Sequence, residues 1–261
     1  MRAAIGLWRV LCGLGQVLVG AWICAVVFPF LKVPQRQQRV GRWCARMLEL
    51  LGVALHASGT PRDGATMLVA NHVSWLDILA INAVAPTRFV SKADVRGWPL
   101  LGWLVACGGT LFIERERKRD ALRVVHQVAQ ALEAGDRVAV FPEGTTSDGH
   151  GLLPFHANLL QAAIATETPV QPIALRFSDA SQPVSAAAAY VGDTSLLQSL
   201  WWVVTARGLQ AHVQWLPPQG SRHLDRRALA DNLREHIAQA LHSTPSEAPI
   251  ALLHVSPDTL P

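Results

Sequence analysis

An uncharged apolar run of 22 residues, at positions 10–31, most constrains how this chain can fold. A helix needs about 20 apolar residues to cross a bilayer, so the run is long enough to enter or span one. Pro29 predicts a kink or an end near its carboxyl side. A secretory signal peptide is the alternative, but the run is long for one and no small-residue cleavage site follows it.

A second amphipathic helix is predicted directly after this run, at 35–51. Its apolar residues recur at helical spacing, whereas its arginines lie largely off that stripe. This pattern is typical of a helix that lies at a membrane surface. The sequence therefore predicts that residues 1–58 form membrane-anchoring helices.

Positive charge is concentrated at the amino end of the chain. Residues 1–48 carry seven Lys or Arg side chains and the first acidic residue is Glu49, although the whole chain has a net charge of only +4. The remainder is therefore net negative, which argues against a nucleic-acid-binding protein and for a local membrane signal. Five of the seven closely follow the apolar run, so the positive-inside bias predicts the cytoplasmic face of the inner membrane. The four cysteines show no C-x-x-C spacing and are expected to be reduced.

The body of the chain alternates short apolar runs with helical patterns after a turn-rich link at 58–64. We expect helices at 75–84, 120–134 and 224–241, and strands at 67–70, 88–91, 110–113, 138–141, 170–177, 186–191 and 209–216. This predicts an α/β domain over 59–242, a mixed central sheet flanked by helices, behind the membrane-associated helical pair. The proline-containing segment 243–261 is predicted to be a disordered tail.

The first polar cluster, Asn-His-Val-Ser-Trp-Leu-Asp at 71–77, follows the buried strand predicted at 67–70. His72 can exchange a proton near neutral pH, and Asp77 can fix its tautomer and stabilise the imidazolium. This predicts base-assisted attack by a bound hydroxyl. The alternative is a helix capping box formed by Ser74 and Asp77. Because a five-residue gap places two side chains on different faces of a helix, His72 must precede the helix.

The second polar cluster, Phe-Pro-Glu-Gly-Thr-Thr-Ser at 141–147, follows the strand predicted at 138–141. We expect Glu143 to bind acceptor hydroxyls and backbone N–H groups around Gly144 to meet a developing oxyanion. The alternative is a tight turn, which Pro142 and Gly144 favour.

Two cations near strand ends are candidate phosphate ligands. Arg115 follows the strand at 110–113 and could hold a phosphate at two points, and Lys92 is a similar candidate after 88–91. The other cations of the charge run, at 117–119, are expected in a solvated loop. His150 and His156 lack zinc-ligand spacing, so we expect no metal site.

Four blocks, in this order, resemble the glycerolipid acyltransferases, and most nearly the 1-acyl-sn-glycerol-3-phosphate acyltransferases. The blocks are Asn-His-x-Ser-x-x-Asp at 71–77, Thr-Leu-Phe-Ile-Glu-Arg at 110–115, Phe-Pro-Glu-Gly-Thr at 141–145 and Val-Gln-Pro-Ile at 170–173. The resemblance covers about 60–180 and, more loosely, the amino-terminal helices, which form a membrane-docking pair in this family.

The resemblance implies a role for each matching residue. His72 would deprotonate the acceptor hydroxyl with Asp77 as its orienting partner, and the hydroxyl would attack the thioester of an acyl-carrier protein or acyl-CoA. Residues assigned to lysolipid binding are Asn71, Ser74, Lys92, Arg115, Glu143, Gly144 and Thr145. No metal or redox cofactor is implied.

One position departs from this branch, in which the third block usually continues Thr-Arg-Ser with an arginine that helps to hold the acceptor phosphate. Here that position is Thr146. The expected acceptor is 1-acyl-sn-glycerol-3-phosphate, which would yield phosphatidate. The alternatives are lyso-ornithine lipid as the acceptor and, in a different class, a catalytically silent membrane-surface module.

Overall fold

The computed structural model describes residues 2–113 and 118–243. It contains a seven-stranded mixed sheet flanked by helices, preceded by two long helices, which confirms the predicted fold class. Arg115 and the predicted tail from 244 onward lie outside the described residues.

The two amino-terminal helices pack side by side. α1 (Arg2–Trp22) continues through a π-helical turn (Ile23–Val27) and a 3-10 turn (Phe28–Phe30), and α2 (Val33–Leu51) returns along it. In the described part of the chain, the apolar helix over Arg2–Phe30 is the one long enough to cross a membrane. Gly6, Gly13 and Gly20 are the buried positions of α1. Their seven-residue spacing places them on one face, so this face packs on the protein and leaves the opposite face exposed.

The strands of the sheet are β1 (Val53–Ser58), β2 (Thr66–Ala70), β3 (Arg88–Lys92), β4 (Leu111–Ile113), β5 (Arg137–Val140), β6 (Val170–Ser178) and β7 (Leu209–Trp215). Their order is β1-β7-β6-β2-β5-β3-β4. The five strands from β6 to β4 are parallel, while β7 runs antiparallel to β6 and parallel to the edge strand β1.

Helices cover both faces of the sheet. One core joins the sheet to α2, α3 (Leu76–Val84) and α7 (Leu196–Thr205), and the other joins it to α5 (Lys118–Glu133), α6 (Leu160–Ala165) and α8 (Arg226–His242). A short helix, α4 (Leu101–Cys107), precedes β4. β2 lies in the middle of the sheet and all five of its residues are buried, which explains its continuous apolar sequence.

Three segments differ from the sequence-based expectation. The predicted strand at 186–191 is wrong, because residues 186–188 form a turn and the amide of Tyr190 donates to Val73 instead of to a sheet. Residues 53–58, assigned to the anchoring helices, form β1, whose alanine, histidine and serine give little strand signal. The uncharged helix α7 was not predicted.

Candidate active site

Both polar motifs lie at the carboxyl edge of the sheet. His72 follows the last residue of β2, Ala70, by two positions, and Glu143 follows the last residue of β5, Val140, by three. The two strands are parallel neighbours with Val69 opposite Val140, so the residues that follow them start side by side. This edge is where open parallel sheets bind their ligands.

The imidazole of His72 is paired with the carboxylate of Asp77. Asp77 Oδ2 lies 2.7 Å from His72 Nδ1, and the Asp77 side chain is fully buried while 19% of the His72 side chain is exposed. Because a carboxylate only accepts hydrogen bonds, Nδ1 carries the proton and Nε2 has the free lone pair. Nε2 makes no hydrogen bond to any described residue, so it is the nitrogen that can act as a base.

The same carboxylate oxygen also caps the start of α3, as the alternative interpretation predicted. Asp77 Oδ2 also accepts the N–H groups of Val73 at 2.8 Å and Ser74 at 3.0 Å, just before α3. Capping and orientation of the imidazole therefore coexist. Three donors that converge on one buried oxygen hold Asp77 against rotation, and this fixes the direction of the His72 ring.

The ring of His72 lies flat on Phe141. Their centroids are 4.0 Å apart with an angle of 10° between the planes, and Phe141 in turn stacks on Phe89 of β3 at 5.9 Å. The ring is therefore held on one face by the second motif and at its edge by Asp77. Phe141 was not among the predicted site residues, although its place at the start of the second motif was a usable signal.

Glu143 accepts hydrogen bonds from two backbone N–H groups, one of which belongs to His72. Its Oε1 accepts the His72 N–H at 2.7 Å and its Oε2 accepts the Leu153 N–H at 2.9 Å. The side chain is buried, and burial raises the pKa of this carboxyl, partly offset by the two N–H groups. Both oxygens are thus engaged in positioning, and the predicted contact of Glu143 with acceptor hydroxyls stays a prediction.

The rest of the second motif forms a tight turn. Gly144 has a φ of +71°, which favours glycine, and its N–H donates to Phe141 O at 3.0 Å. This N–H is therefore not free to meet an oxyanion in the structure. The next residue, Thr145, is exposed, and its N–H makes no hydrogen bond within the described part of the chain. Ser147 closes the turn onto the first motif, because its N–H donates to His72 O at 2.8 Å.

Asn71 and Ser74 are both buried, whereas the His72 ring is partly exposed. The Asn71 amide donates to Leu175 O at 2.9 Å and accepts the Leu175 N–H at 2.7 Å, so it pairs with β6. Ser74 is fully buried, and its hydroxyl has no partner among the described residues. Direct contact of either residue with substrate stays a prediction.

Lys92 is the exposed last residue of β3, and it lies at the same edge of the sheet as His72. β5 separates β3 from β2, so Lys92 is two strands away from the strand that leads to His72. Arg115 follows β4, whose Ile113 is opposite Lys92, but its own placement is outside the described residues. Among the side chains that the structure describes, no three metal-ligating groups cluster.

Thr146 joins the second motif to the loop before α7. Its hydroxyl donates to Tyr190 O, and the Tyr190 N–H donates to Val73 O at 3.0 Å. Tyr190 was missed at the sequence level because it contributes through its backbone, which leaves no signal in residue type. Thr146, at the position where the resemblance leads us to expect a phosphate-binding arginine, thus holds a loop in place.

Similarity to known proteins agrees with this geometry. A family model described as Acyltransferase matches residues 53–176, which contain both motifs. A lyso-ornithine lipid O-acyltransferase from Pseudomonas aeruginosa is 37% identical over 246 residues, or 94% of this chain and 93% of the relative. The chain belongs to the acyltransferase family. It is therefore an enzyme.

Two further proteins are similar to this acyltransferase. A 1-acyl-sn-glycerol-3-phosphate acyltransferase from Neisseria meningitidis is 36% identical over 76% of this chain and 77% of its own length. The crystal structure of the 1-acyl-sn-glycerophosphate acyltransferase from Thermotoga maritima shares the fold, with a TM-score of 0.64 and 20% identity over 89% of this chain and 96% of that one. With the exposed apolar face of α1, this acyltransferase associates with membranes.

Proposed function

We propose that this acyltransferase moves a fatty acyl group from an acyl thioester to the free hydroxyl of a membrane lysolipid, with His72 as the general base. The observation that carries the proposal is the 2.7 Å pair between His72 Nδ1 and a buried Asp77 carboxylate, which leaves Nε2 free at a partly exposed position. A positioned imidazole of this kind removes a proton from an attacking hydroxyl.

The reaction needs no covalent enzyme intermediate. Nε2 takes the hydroxyl proton as the oxygen attacks the thioester carbonyl, and the Asp77 carboxylate stabilises the imidazolium that forms. The tetrahedral intermediate then collapses, the carbon–sulfur bond breaks, and the leaving thiolate takes the proton back from Nε2. The products are the O-acylated lipid and a free thiol, and His72 is neutral again.

The acyl donor is a thioester, either acyl-CoA or acyl-carrier protein. Both present the same carbonyl to the attacking oxygen and release a thiol. The chemistry of His72 is the same for either donor, so the two are distinguished by assay.

Two acceptor head groups are supported by different observations. The four sequence blocks and the relative from Neisseria meningitidis favour 1-acyl-sn-glycerol-3-phosphate. Thr146, whose hydroxyl is occupied by Tyr190 O, supplies no charge for a phosphate and favours lyso-ornithine lipid, as does the relative from Pseudomonas aeruginosa. Lys92 and Arg115 are the cations that we assign to the head group in the first case.

We place the enzyme on the cytoplasmic face of the inner membrane. The exposed arginines of α2, Arg39, Arg42 and Arg46, follow the apolar helix in sequence. Anionic lipids of the cytoplasmic leaflet attract such exposed cations, and both thioester donors occur on this side.

A side-by-side assay tests the proposal. Protein purified in detergent is given acyl-CoA or acyl-carrier protein with either lysophosphatidate or lyso-ornithine lipid, and thiol release and the lipid product are measured. We expect one donor and one acceptor to give stoichiometric thiol and diacylated lipid. No thiol release with any combination would contradict the proposed function and return the silent module as the better description.

A further inference from the structure

Exposed tryptophan is confined to three elements of the described structure. The chain has nine tryptophans, and six of them are exposed: Trp8 and Trp22 on α1, Trp98 and Trp103 at the tip before α4 and on it, and Trp201 and Trp202 on α7. An indole has an apolar body and one N–H group, so it is favoured where a protein meets the boundary between lipid chains and head groups. Only the first of these elements belongs to the predicted anchor.

α7 has an apolar outer face, unlike an ordinary surface helix. Its ten residues carry no charge. Ser199, Val203 and Val204 are buried against the sheet, whereas Leu197 is 77% exposed and Trp201 and its neighbour 43% each. Nothing in the catalytic geometry uses this outer face.

α7 is joined to the amino-terminal end of α1. Arg9 Nη1 donates to Val204 O at 2.8 Å, and a Cβ on Gly6 would lie 2.7 Å from Thr205 Cγ2. The outer face of α7 therefore lies beside the amino-terminal part of α1, whose exposed side chains include Ile5, Leu7 and Trp8.

The tip at 98–103, which leads into α4, lies at the carboxyl end of α1. Burial, and after it the neighbouring thiol of Cys107 at the end of α4, raises the pKa of Cys24 in the π-helical turn that continues α1. Trp98, Leu100 and Trp103 are each exposed by slightly more than 40%.

The outer face of α7 and the tip at 98–103 are two apolar patches on one folded domain. Their positions limit the orientation that α1 can take in the bilayer. From Gly6 to Cys24 the helix rises about 27 Å, which is close to the thickness of a bilayer's hydrocarbon core. If α1 stood across the bilayer, the two patches would lie near opposite membrane surfaces and the domain between them would have to cross as well. With α1 along one leaflet, both patches reach the same surface.

We infer that the outer face of α7 and the tip at 98–103 insert into the head-group boundary of a phospholipid bilayer, one at each end of α1. A bilayer suits this surface because it lies beside the membrane-associated helix α1 and because the exposed arginines of α2, Arg39 and Arg42, suit anionic head groups. A second copy of the chain is the competing occupant.

Tryptophan quenching by brominated lipid tests the surface directly. The full chain is bound to phosphatidylethanolamine–phosphatidylglycerol vesicles with and without bromine on the acyl chains. We expect Trp201→Phe/Trp202→Phe and Trp98→Phe/Trp103→Phe each to remove about a third of the bromine-dependent quenching, two of six exposed indoles. The matched control is Trp215→Phe, at a position that is 3% exposed, and it should remove none.

Unchanged quenching in the α7 pair variant would overturn the inference. The inference is also overturned if the parent is a dimer in detergent and Trp201→Glu/Trp202→Glu makes it a monomer. The outer face of α7 would then bind a second copy of the chain.

An activity readout adds to this but rests on the proposed function. The Trp201→Glu/Trp202→Glu variant should show a roughly tenfold higher apparent KM for lysolipid in vesicles, since interfacial carboxylates oppose insertion. Its KM for a short-chain, water-soluble lysolipid should be unchanged. If the parent enzyme acylates no lysolipid, the proposed function fails while the quenching result still decides the surface.

Discussion

Glu143 Oε1 accepts the backbone N–H of His72 at 2.7 Å, across 71 residues of chain. The second motif thus holds the first in place, since the other oxygen of Glu143 is taken by Leu153 and Ser147 closes onto the His72 carbonyl. The imidazole of His72 is therefore positioned by three features: Asp77 at its edge, Phe141 on its face and Glu143 on its backbone.

His72→Ala should lower kcat by roughly 10²- to 10⁴-fold, because the reaction loses its general base. Circular dichroism of the variant should match the parent, since the main-chain bonds of residue 72 to Glu143 and Ser147 do not need the ring. The unfolding temperature should fall, because the buried Asp77 carboxylate loses one of its three donors. A residual rate within about twofold of the parent would remove His72 from the mechanism.

Asp77→Asn separates orientation from charge. An amide oxygen can still accept from His72 and from the two N–H groups before α3, but it cannot stabilise the imidazolium. We expect kcat to fall by roughly 10²-fold or more with a small change in KM. Full activity in a folded Asp77→Asn protein would mean that the carboxylate serves only as a helix cap.

Glu143→Gln should change how stability depends on pH. Because burial raises the native pKa of Glu143 above its ordinary value of 4.5, its favourable contribution is present at low pH and is lost as pH rises through the native value. The glutamine does not titrate, but it leaves one N–H without an acceptor, at a cost of about 1–3 kcal/mol. The unfolding temperature of the variant relative to the parent should therefore rise as pH increases above 4.5, and a constant difference across that range would contradict the raised pKa.

Thr146→Arg tests the acceptor. If weak phosphate binding follows from the missing cation, the substitution should lower the KM for lysophosphatidate and leave that for lyso-ornithine lipid unchanged or higher. Thr146→Val is the matched control, because it removes the hydrogen bond to Tyr190 O without adding charge. Equal effects of the two variants on lysophosphatidate would assign the change to the loop and not to the head group.

Gly20→Ala tests the packing of α1 on α2. The new methyl group would lie 2.7 Å from Trp43 Nε1, which donates to Gln16 O, so either the Trp43 ring moves and loses this bond or the two helices separate. We expect a loss of about 1–3 kcal/mol in stability, measured by thermal unfolding in detergent. Gly15→Ala, in the same helix with no atom within 4 Å, should instead be neutral or stabilising by up to about 1 kcal/mol.

Much of the catalytic edge could be predicted from local sequence. The buried run at 67–70, the histidine after it and the second motif after 138–141 all follow from strand ends and residue chemistry. The stacking of Phe141 and the position of Tyr190 could not be predicted in this way, because they depend on which strands become neighbours. β1 depends on its pairing with β7, more than 150 residues away, and its own side chains hardly favour a strand.

The backbone hydrogen bonds of Glu143 could not be predicted from the sequence. A carboxylate in a polar motif predicts contact with a ligand, and the sequence does not show that two main-chain amides already occupy both oxygens. These two hydrogen bonds depend on the turn at Gly144 and on the nearby position of Leu153, and both are known only from the folded structure.

Asn71 determines where β2 ends, which matters for building this site into another protein. Its amide stands in for one more peptide unit of β2 opposite Leu175, so the main chain can leave the sheet at His72 while β6 keeps its ladder complete. A grafted histidine and aspartate without this asparagine would be carried onward by a continuing strand, and the imidazole would point along the sheet instead of out from its rim.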